Sequence, residues 1–198
     1  QVLGQQTAPA TLRGDPGRDA VEIVSDHPGH EGFFRLRRFD LRHRRFDGTW
    51  SPPMGREAFI AYDAALILPY DPVTDCVLLI EQLRYGPVMR GDSRPWMLEP
   101  VAGLVDAGED PAACALREAR EEAGLDLAHA EPMLKVYASP GYSTEYFHCF
   151  LGVCDLSRHA TGLGGLAEEH EDIRSHVIPF DQAMALVDSG EINAAPLA

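Results

Sequence analysis

The stretch that decides the fold is Gly103-Leu-Val-Asp-Ala-Gly-Glu109-Asp-Pro-Ala-Ala-Cys-Ala-Leu-Arg117-Glu118-Ala-Arg-Glu121-Glu122-Ala-Gly124-Leu125. It predicts a loop followed by one helix, because Asp110 can serve as the N-cap, Pro111 suits the first helical position and Gly124 is a natural stop. Between these limits small and aliphatic residues recur at helical spacing. They predict a buried stripe formed by Ala112, Ala115, Leu116, Ala119 and Ala123.

Three glutamates on this helix, Glu118, Glu121 and Glu122, stand at i, i+3 and i+4, so their side chains project from one face. Neighbouring carboxylates repel one another and cost helix stability. Divalent cations such as Mg²⁺ prefer carboxylate oxygen and bridge to phosphate, which makes a metal site one explanation of the cluster. The other explanation is a solvated acidic face paired with Arg117 and Arg120, which is the commoner use of a charged helix face.

The complete pattern of the stretch favours the metal site. It resembles the Nudix box, in which glycine, glutamate, an Arg-Glu pair, a Glu-Glu pair and a second glycine stand at fixed spacings. A match at so many positions is far more specific than a short glycine motif. The fixed positions are filled by Gly103, Glu109, Arg117, Glu118, Glu121, Glu122, Gly124 and Leu125. Ala119 departs mildly from the pattern, because it is smaller than the usual aliphatic residue.

Length and composition limit the classes of protein to which the chain can belong. Its 198 residues, 45% of them hydrophobic, can bury one sizeable core. The formal net charge of −14 argues against a nucleic-acid partner, because such binding uses Lys and Arg to neutralise phosphates. No apolar run approaches the ~20 residues of a membrane span, and the N-terminus has no signal-peptide pattern. We therefore expect no membrane partner and a cytoplasmic location.

The cysteines, Cys76, Cys114, Cys149 and Cys154, lack the paired short spacing of a zinc ribbon. The last two lie in an apolar segment that predicts a strand. We expect buried reduced thiols rather than disulfides or a zinc site, which also favours the cytoplasm.

The N-terminal third differs in composition from the remainder. Residues 1–31 are rich in Gly, Pro, Asp and Ala and predict a flexible arm. Residues 33–46 combine six arginines with aromatic and aliphatic residues and predict two strand segments followed by a turn at Asp47-Gly48. The charges of such strands can deter aggregation at a sheet edge, or they can bind a nucleotide or the acidic surface of a second subunit. We expect residues 32–62 to form an antiparallel strand region used for dimerisation by strand exchange.

The remaining sequence predicts a mixed α/β domain over residues 63–198. A loop is predicted over residues 86–95 and a closing helix over residues 181–189. Strands are predicted near residues 56–61, 64–68, 77–82, 96–100, 132–138, 145–153 and 173–179. This mixture favours an α/β sandwich with helices on both sides of a mixed sheet.

Further stretches narrow the resemblance to the bacterial ADP-ribose pyrophosphatase group and extend it over about residues 32–193. They are residues 32–35, 70–84, 98–103, 138–141 and 165–174. The resemblance implies the Nudix α/β/α sandwich and a Mg²⁺-dependent hydrolysis of ADP-ribose to AMP and ribose 5-phosphate, with Mn²⁺ as a substitute metal. It also implies a homodimer whose N-terminal strands complete the site of the other subunit.

The resemblance implies roles for the acidic residues and for Arg117. The metal ligands would be the main-chain carbonyl of Ala102 and the carboxylates of Glu118, Glu121, Glu122 and Glu171. The catalytic base would be Glu169, or Glu168 in an alternative alignment. Arg117 would hold the helix carboxylates in place rather than contact the substrate.

The resemblance also places the substrate contacts. Phe33 would stack on adenine, although core packing is the commoner use of a lone phenylalanine. Arg56 and Arg84 would contact phosphate or the terminal ribose, since a guanidinium binds phosphate oxygens in a forked geometry. Ser139 and Gly141 are further candidate substrate-binding residues.

Three other functions remain as alternatives. A related sugar-nucleotide pyrophosphatase would act on GDP-mannose or ADP-glucose. A catalytically silent nucleotide sensor is disfavoured because no glutamate of the box is missing. An RNA-decapping protein is disfavoured by the −14 charge.

Overall fold

A computed structural model describes residues 10–13, 16–159, 162–166 and 170–198. The chain divides into two compact units. The first unit comprises Gln1–Tyr62 and Ser139–Glu145, and the second comprises Asp63–Ala138 and Tyr146–Ala198. No helix within the described ranges is long and apolar enough to cross a membrane.

The first unit is built on an antiparallel sheet in the order β1-β2-β3. A 3-10 turn at Arg18–Ala20 precedes β1 (Val21–His27), β2 (Arg35–His43) and β3 (Met54–Ile60). The two strand segments predicted after residue 33 form the single strand β2, and β1 was not predicted. Residues 139–145 run beside β3, where the N–H of Phe59 donates to the carbonyl of Tyr142 at 2.7 Å.

The second unit contains a larger, mixed sheet. Its described strands are β4 (Asp63–Asp71), β5 (Cys76–Leu83), β6 (Trp96–Glu99), β7 (Val101–Leu104), β8 (Glu131–Tyr137), β9 (Tyr146–Val153), β10 (Leu163–Gly164) and β11 (Ile173–Pro179). Their order is β10-β11-β5-β4-β9-β8, with β6 paired to β5 and β7 paired to β4. The β4–β9 pair is parallel, whereas the other pairs are antiparallel.

The strands β4 and β5 separate soon after the turn that joins them. They pair only through Tyr70–Val77 and Asp71–Cys76. Farther along, β7 takes the place beside β4, and β6 takes the place beside β5. The connection from β6 to β7 therefore lies where the sheet divides, and β7 leads directly into the loop before the glutamate-bearing helix.

Three helices are described: α1 (Tyr85–Arg90), α2 (Pro111–Ala123) and α3 (Phe180–Ser189). Residues of β5 alternate between two cores, as strand geometry requires. Leu78 and Ile80 pack in the core that includes α2, whereas Val77 and Leu79 pack in the core that includes α3. The second unit is therefore a sandwich with helices on both faces of a mixed sheet, as predicted.

The helix α2 has the predicted limits. The Asp110 carboxylate accepts the N–H groups of Ala112 and Ala113 at 3.0 and 3.2 Å, and Gly124 ends the helix with φ +64°. Two local predictions were wrong. Residues 86–95 are not all loop, because α1 begins at Tyr85, and Gly103 lies inside β7 rather than in a loop.

Candidate active site

Arg117 is the centre of an ion-pair network at α2. Its Nε and Nη2 bind both carboxylate oxygens of Glu109 at 3.0 and 3.2 Å. Its Nη1 donates to Glu118 at 2.7 Å and to Glu121 at 2.9 Å. All three carboxylates are less than one-third exposed. One planar guanidinium therefore fixes three acidic side chains, two on the helix and one in the preceding loop.

Glu118 lies directly against the backbone of Gly103 on the neighbouring strand. A Cβ atom at position 103 would overlap the Glu118 side chain. Glycine is required there because only a residue without a side chain leaves room for this carboxylate. The first glycine of the box thus determines where Glu118 can lie.

Glu122 is the most deeply buried of the helix glutamates, with 2% of its surface exposed. Its Oε2 accepts the backbone N–H of Ala102 at 3.0 Å, which joins the C-terminal half of α2 to β7. The structure thus brings Ala102 to Glu122 through its N–H group. The ligand role of the Ala102 carbonyl stays a prediction.

Burial and mutual repulsion raise the pKa values of two carboxylates on α2. Burial raises the pKa of Glu118 to about 7, against the opposing effect of Arg117. Burial raises the pKa of Glu122 to about 8, although the Ala102 N–H favours the charged form. The negative charge of Glu171 further raises the pKa values of both carboxyl groups. Glu109 behaves oppositely, because its hydrogen bonds with Arg117 lower its pKa.

A segment from the second half of the chain packs on the C-terminal end of α2. The N–H of Gly165 donates to the carbonyl of Glu121 at 3.2 Å, and a Cβ at Gly164 would overlap the carbonyl of Glu122. Glu171 and Leu166 exchange two hydrogen bonds, of 3.1 and 3.2 Å. The predicted base, Glu169, and its alternative, Glu168, lie outside the described residues.

Arg84, the residue after β5, acts on Glu122, since its positive charge opposes the effect of burial and lowers the pKa of that carboxyl. Its Nε donates to Glu99 on β6 at 2.7 Å, and Gln82 donates to the same oxygen at 3.4 Å. Sequence reasoning singled out Arg84 but missed Gln82 and Glu99. The pairing of β5 with β6 sets Ile80 opposite Glu99. Because Ile80 packs in the core that includes α2, this register places Glu99 on the same face of the sheet as α2.

The remaining candidate residues belong to the first unit. Phe33 is 72% exposed and is contacted edge-on by the ring of Phe34, with 4.9 Å between the centroids. Arg56 is exposed on β3. The Ser139 carbonyl accepts two backbone N–H groups, and Gly141 has open space where a Cβ would stand. Core packing does not explain Phe33 within this unit, because most of its surface is free there.

The donor set around α2 fits a divalent cation in its chemistry. Among the described residues, no group of three or more His, Cys, Asp or Glu side chains is already arranged to hold a metal. However, the negative charge of Glu171 adds to the effect of burial in raising the pKa values of Glu118 and Glu122. A nearby cation would remove this repulsion.

A cavity of the second unit lies elsewhere. It measures about 720 Å³ and includes Glu81, Trp96 and His176 in its lining. Leu79, which also lines it, faces the α3 core rather than the α2 core. This cavity is therefore on the opposite face of the sheet from the carboxylates of α2, whose chemistry is the better guide to the active site.

The charges of the chain are divided unequally between the two units. The first unit contains nine arginines and nine Asp or Glu residues, so it is formally neutral. The whole formal charge of −14 therefore belongs to the second unit. The same unit holds the buried carboxylates of α2.

An α/β/α sandwich whose loop and helix carry this set of buried carboxylates defines the Nudix class of domain. The family model described as NUDIX domain matches residues 62–197, and the chain belongs to this family. The prediction made from the box is confirmed.

Curated relatives extend over most of the chain. It is 42% identical to an ADP-ribose pyrophosphatase of Escherichia coli over 179 residues, which is 90% of this chain and 85% of the relative. It is 41% identical to an ADP-ribose pyrophosphatase of Haemophilus influenzae over 175 residues, 87% of this chain and 80% of the relative. A GDP-mannose pyrophosphatase of Citrobacter koseri is 32% identical over 174 residues, 87% of this chain and 88% of the relative.

A solved structure described as an ADP compounds hydrolase has the same fold. It matches with a TM-score of 0.67 over 92% of this chain and 91% of that chain. Because the identity is 18%, this likeness concerns the fold alone.

Proposed function

We propose that the chain is a Nudix hydrolase that cleaves the pyrophosphate of ADP-ribose to give AMP and ribose 5-phosphate. The carboxylate cluster of α2, held by Arg117 and buried beside β7, is the observation that carries the proposal. The identity of 42% with an ADP-ribose pyrophosphatase over 90% of the chain supports the choice of substrate. GDP-mannose is a second candidate, with weaker support from a relative at 32% identity.

We propose Mg²⁺ as the cofactor, with Mn²⁺ as a substitute. Glu118, Glu122 and Glu171 would hold it, with Glu121 and the Ala102 carbonyl as further ligands. The pKa values of Glu118 and Glu122, which are raised by burial and further by neighbouring negative charges, support this assignment. Such an ion neutralises pyrophosphate charge and makes a bound water more acidic.

The catalytic base in this proposal is Glu169, with Glu168 as the alternative. A carboxylate in this role removes the proton from the attacking water. Both glutamates are within three residues of Glu171 in the sequence. Arg117 acts indirectly, because its five N–H groups already serve the carboxylates and Cys114.

The proposed substrate contacts come from several elements of the chain. Arg84 would bind the phosphates, and its end-of-strand position near Glu122 supports this role. Phe33 would stack on adenine, a use that its exposed ring permits. Arg56 would contact phosphate or terminal ribose, with Ser139 and Gly141 as further substrate-binding positions.

We further propose a homodimer in the cytoplasm. In this arrangement residues 1–31 form an arm, residues 32–62 serve dimerisation and residues 63–198 form the catalytic domain. The contrast between a neutral, arginine-rich first unit and a strongly acidic second unit supports the attraction of one copy to another. The four free cysteines support a reducing compartment.

Product identification on a panel of nucleotides tests the function. The purified protein is incubated with Mg²⁺ and ADP-ribose, GDP-mannose or ADP-glucose, and the products are separated by anion-exchange chromatography. AMP released fastest from ADP-ribose is the expected result, whereas faster release of GMP from GDP-mannose would replace the proposed substrate.

Two glutamine variants test the site. Glu118→Gln should abolish turnover while the circular dichroism spectrum remains that of the native protein. Glu131→Gln, on the exposed strand β8, is the matched control and should retain activity. Full activity of Glu118→Gln would contradict the assignment of the site.

A further inference from the structure

Arg84, Gln82 and Glu99 form a polar cluster beside the buried Glu122. The Nε of Arg84 lies 2.7 Å from Oε2 of Glu99, and Nε2 of Gln82 lies 3.4 Å from the same oxygen. The Glu99 side chain is only 13% exposed, whereas that of Arg84 is 42% exposed. The pair thus has a buried, anchored end at Glu99 and an open end at the guanidinium.

We propose that Glu99 is a positioning residue, which fixes the direction in which Arg84 presents its two terminal amino groups to the diphosphate. The inference rests on the proposed function, in which Arg84 binds phosphate. A guanidinium is planar, so a bond at Nε determines the plane and the orientation of Nη1 and Nη2. Within the described part of the chain, Glu99 is the acceptor that the Arg84 side chain contacts.

The position of Glu99 explains why a carboxylate is needed there. Arg84 follows β5 on a backbone fixed by a hydrogen bond from its N–H to the carbonyl of Pro95 at 3.0 Å. Its long side chain has two anionic partners within electrostatic range, Glu99 and Glu122. By binding Nε, Glu99 gives the guanidinium an anionic partner other than Glu122, which is proposed to serve the metal.

A purely structural role is the main alternative, since the pair also joins the residue after β5 to the last residue of β6. The control must therefore break a comparable pair between neighbouring strands without touching the α2 face. Glu81 meets this need: it lies next to Gln82 on the opposite face and binds His176 at 2.9 Å. A structural role predicts that Glu99→Met and Glu81→Met lower the melting temperature without a specific change in KM.

The decisive experiment is a double-mutant cycle of Glu99→Met and Arg84→Met, scored by KM and kcat for the substrate that the wild-type protein turns over fastest. We expect Glu99→Met to raise KM on the order of 10-fold or more, because the Arg84 guanidinium would no longer be held in the orientation that binds the diphosphate. Arg84→Met should raise KM at least as much. The double variant should be no worse than Arg84→Met alone, since Glu99 acts only through Arg84.

Conservative replacement supplies a second measurement. Glu99→Gln retains an oxygen that accepts from Nε, so its KM should rise much less than that of Glu99→Met. Titration calorimetry of ADP-ribose into the EDTA-treated proteins should rank their affinities in the same order, independently of turnover.

The results separate the two proposals. If the wild-type protein prefers another nucleotide sugar, the proposed substrate is wrong, and the double-mutant cycle is measured with that compound instead. A wild-type protein that hydrolyses none of the panel overturns both proposals. Additive effects of Glu99→Met and Arg84→Met on KM, or an unchanged KM in Glu99→Met, overturn the role of Glu99 alone.

Discussion

Replacing Arg117 by methionine should destabilise the protein far more than replacing any exposed arginine of the same helix. The five N–H groups of Arg117 bind Glu109, Glu118, Glu121 and the sulfur of Cys114, at 2.7 to 3.5 Å. Methionine retains much of the volume but none of the donors. Three largely buried carboxylates would then lose their shared counter-charge.

The magnitude follows from the burial of these groups. Removing one partner of a buried ion pair costs about 3–5 kcal/mol. The Arg117 side chain is 32% exposed, so solvent screens part of the loss. We therefore expect Arg117→Met to lower the free energy of unfolding by about 2–4 kcal/mol. The stability of Arg117→Lys should lie between those of the wild-type protein and Arg117→Met, because the three donors of lysine cannot bind both oxygens of Glu109 and also two further carboxylates.

Urea unfolding at pH 7 in EDTA, followed by circular dichroism, measures the effect. Arg120→Met is the matched control, since Arg120 pairs with Asp126 at 2.8 Å while both side chains are well exposed. Exposed pairs contribute about 0–1 kcal/mol, so this variant should resemble the wild-type protein. Equal stabilities of Arg117→Met and Arg120→Met would refute the view that Arg117 holds the carboxylate cluster together.

Two further predictions concern the same helix. Gly103→Ala should lower activity about 10- to 100-fold, because the new Cβ displaces Glu118, an effect comparable to the loss of a group that orients a ligand. Gly86→Ala, which has open space, should leave activity unchanged, and equal activities of the two variants would show that Gly103 is not needed for Glu118. In EDTA, stability should fall as the pH rises from about 4.5 to 8, because the folded state keeps a proton on Glu122 that the unfolded chain releases. Glu122→Gln should flatten this pH dependence of the urea midpoint. Parallel pH profiles for the wild-type protein and Glu122→Gln would show that the titration of Glu122 is not the cause.

Local signals in the sequence were sufficient to predict α2 and its limits. The N-cap Asp110 and the left-handed Gly124 act through backbone groups a few residues away, so no knowledge of the fold is needed. The helix α1 lacked such a pattern, since its six residues include Gly86 and Pro87 and bury no side chain. Only the left-handed Gly91 after it was a signal of a helix end.

Contacts between elements were harder to predict. The interaction of Arg117 with Glu121 follows from i, i+4 spacing, but its two bonds with Glu109 depend on the path of the loop before α2. Glu99 was missed because its facing direction depends on the register with Ile80, which no local pattern gives. Sequence spacing predicts neighbours on one element, whereas tertiary pairing decides which of them meet.

The carboxylates at α2 outnumber the cations that neutralise them, and this imbalance connects stability with function. Arg117 is shared among three glutamates, and Arg84 is already bound by Glu99. Glu122 accepts one backbone N–H, and its pKa is raised by burial and further by the negative charges of Glu118 and Glu171. A fold selected only for stability would place apolar residues there. The retained negative charge therefore lowers the stability of the metal-free protein and, in the proposed function, provides the affinity for a divalent cation.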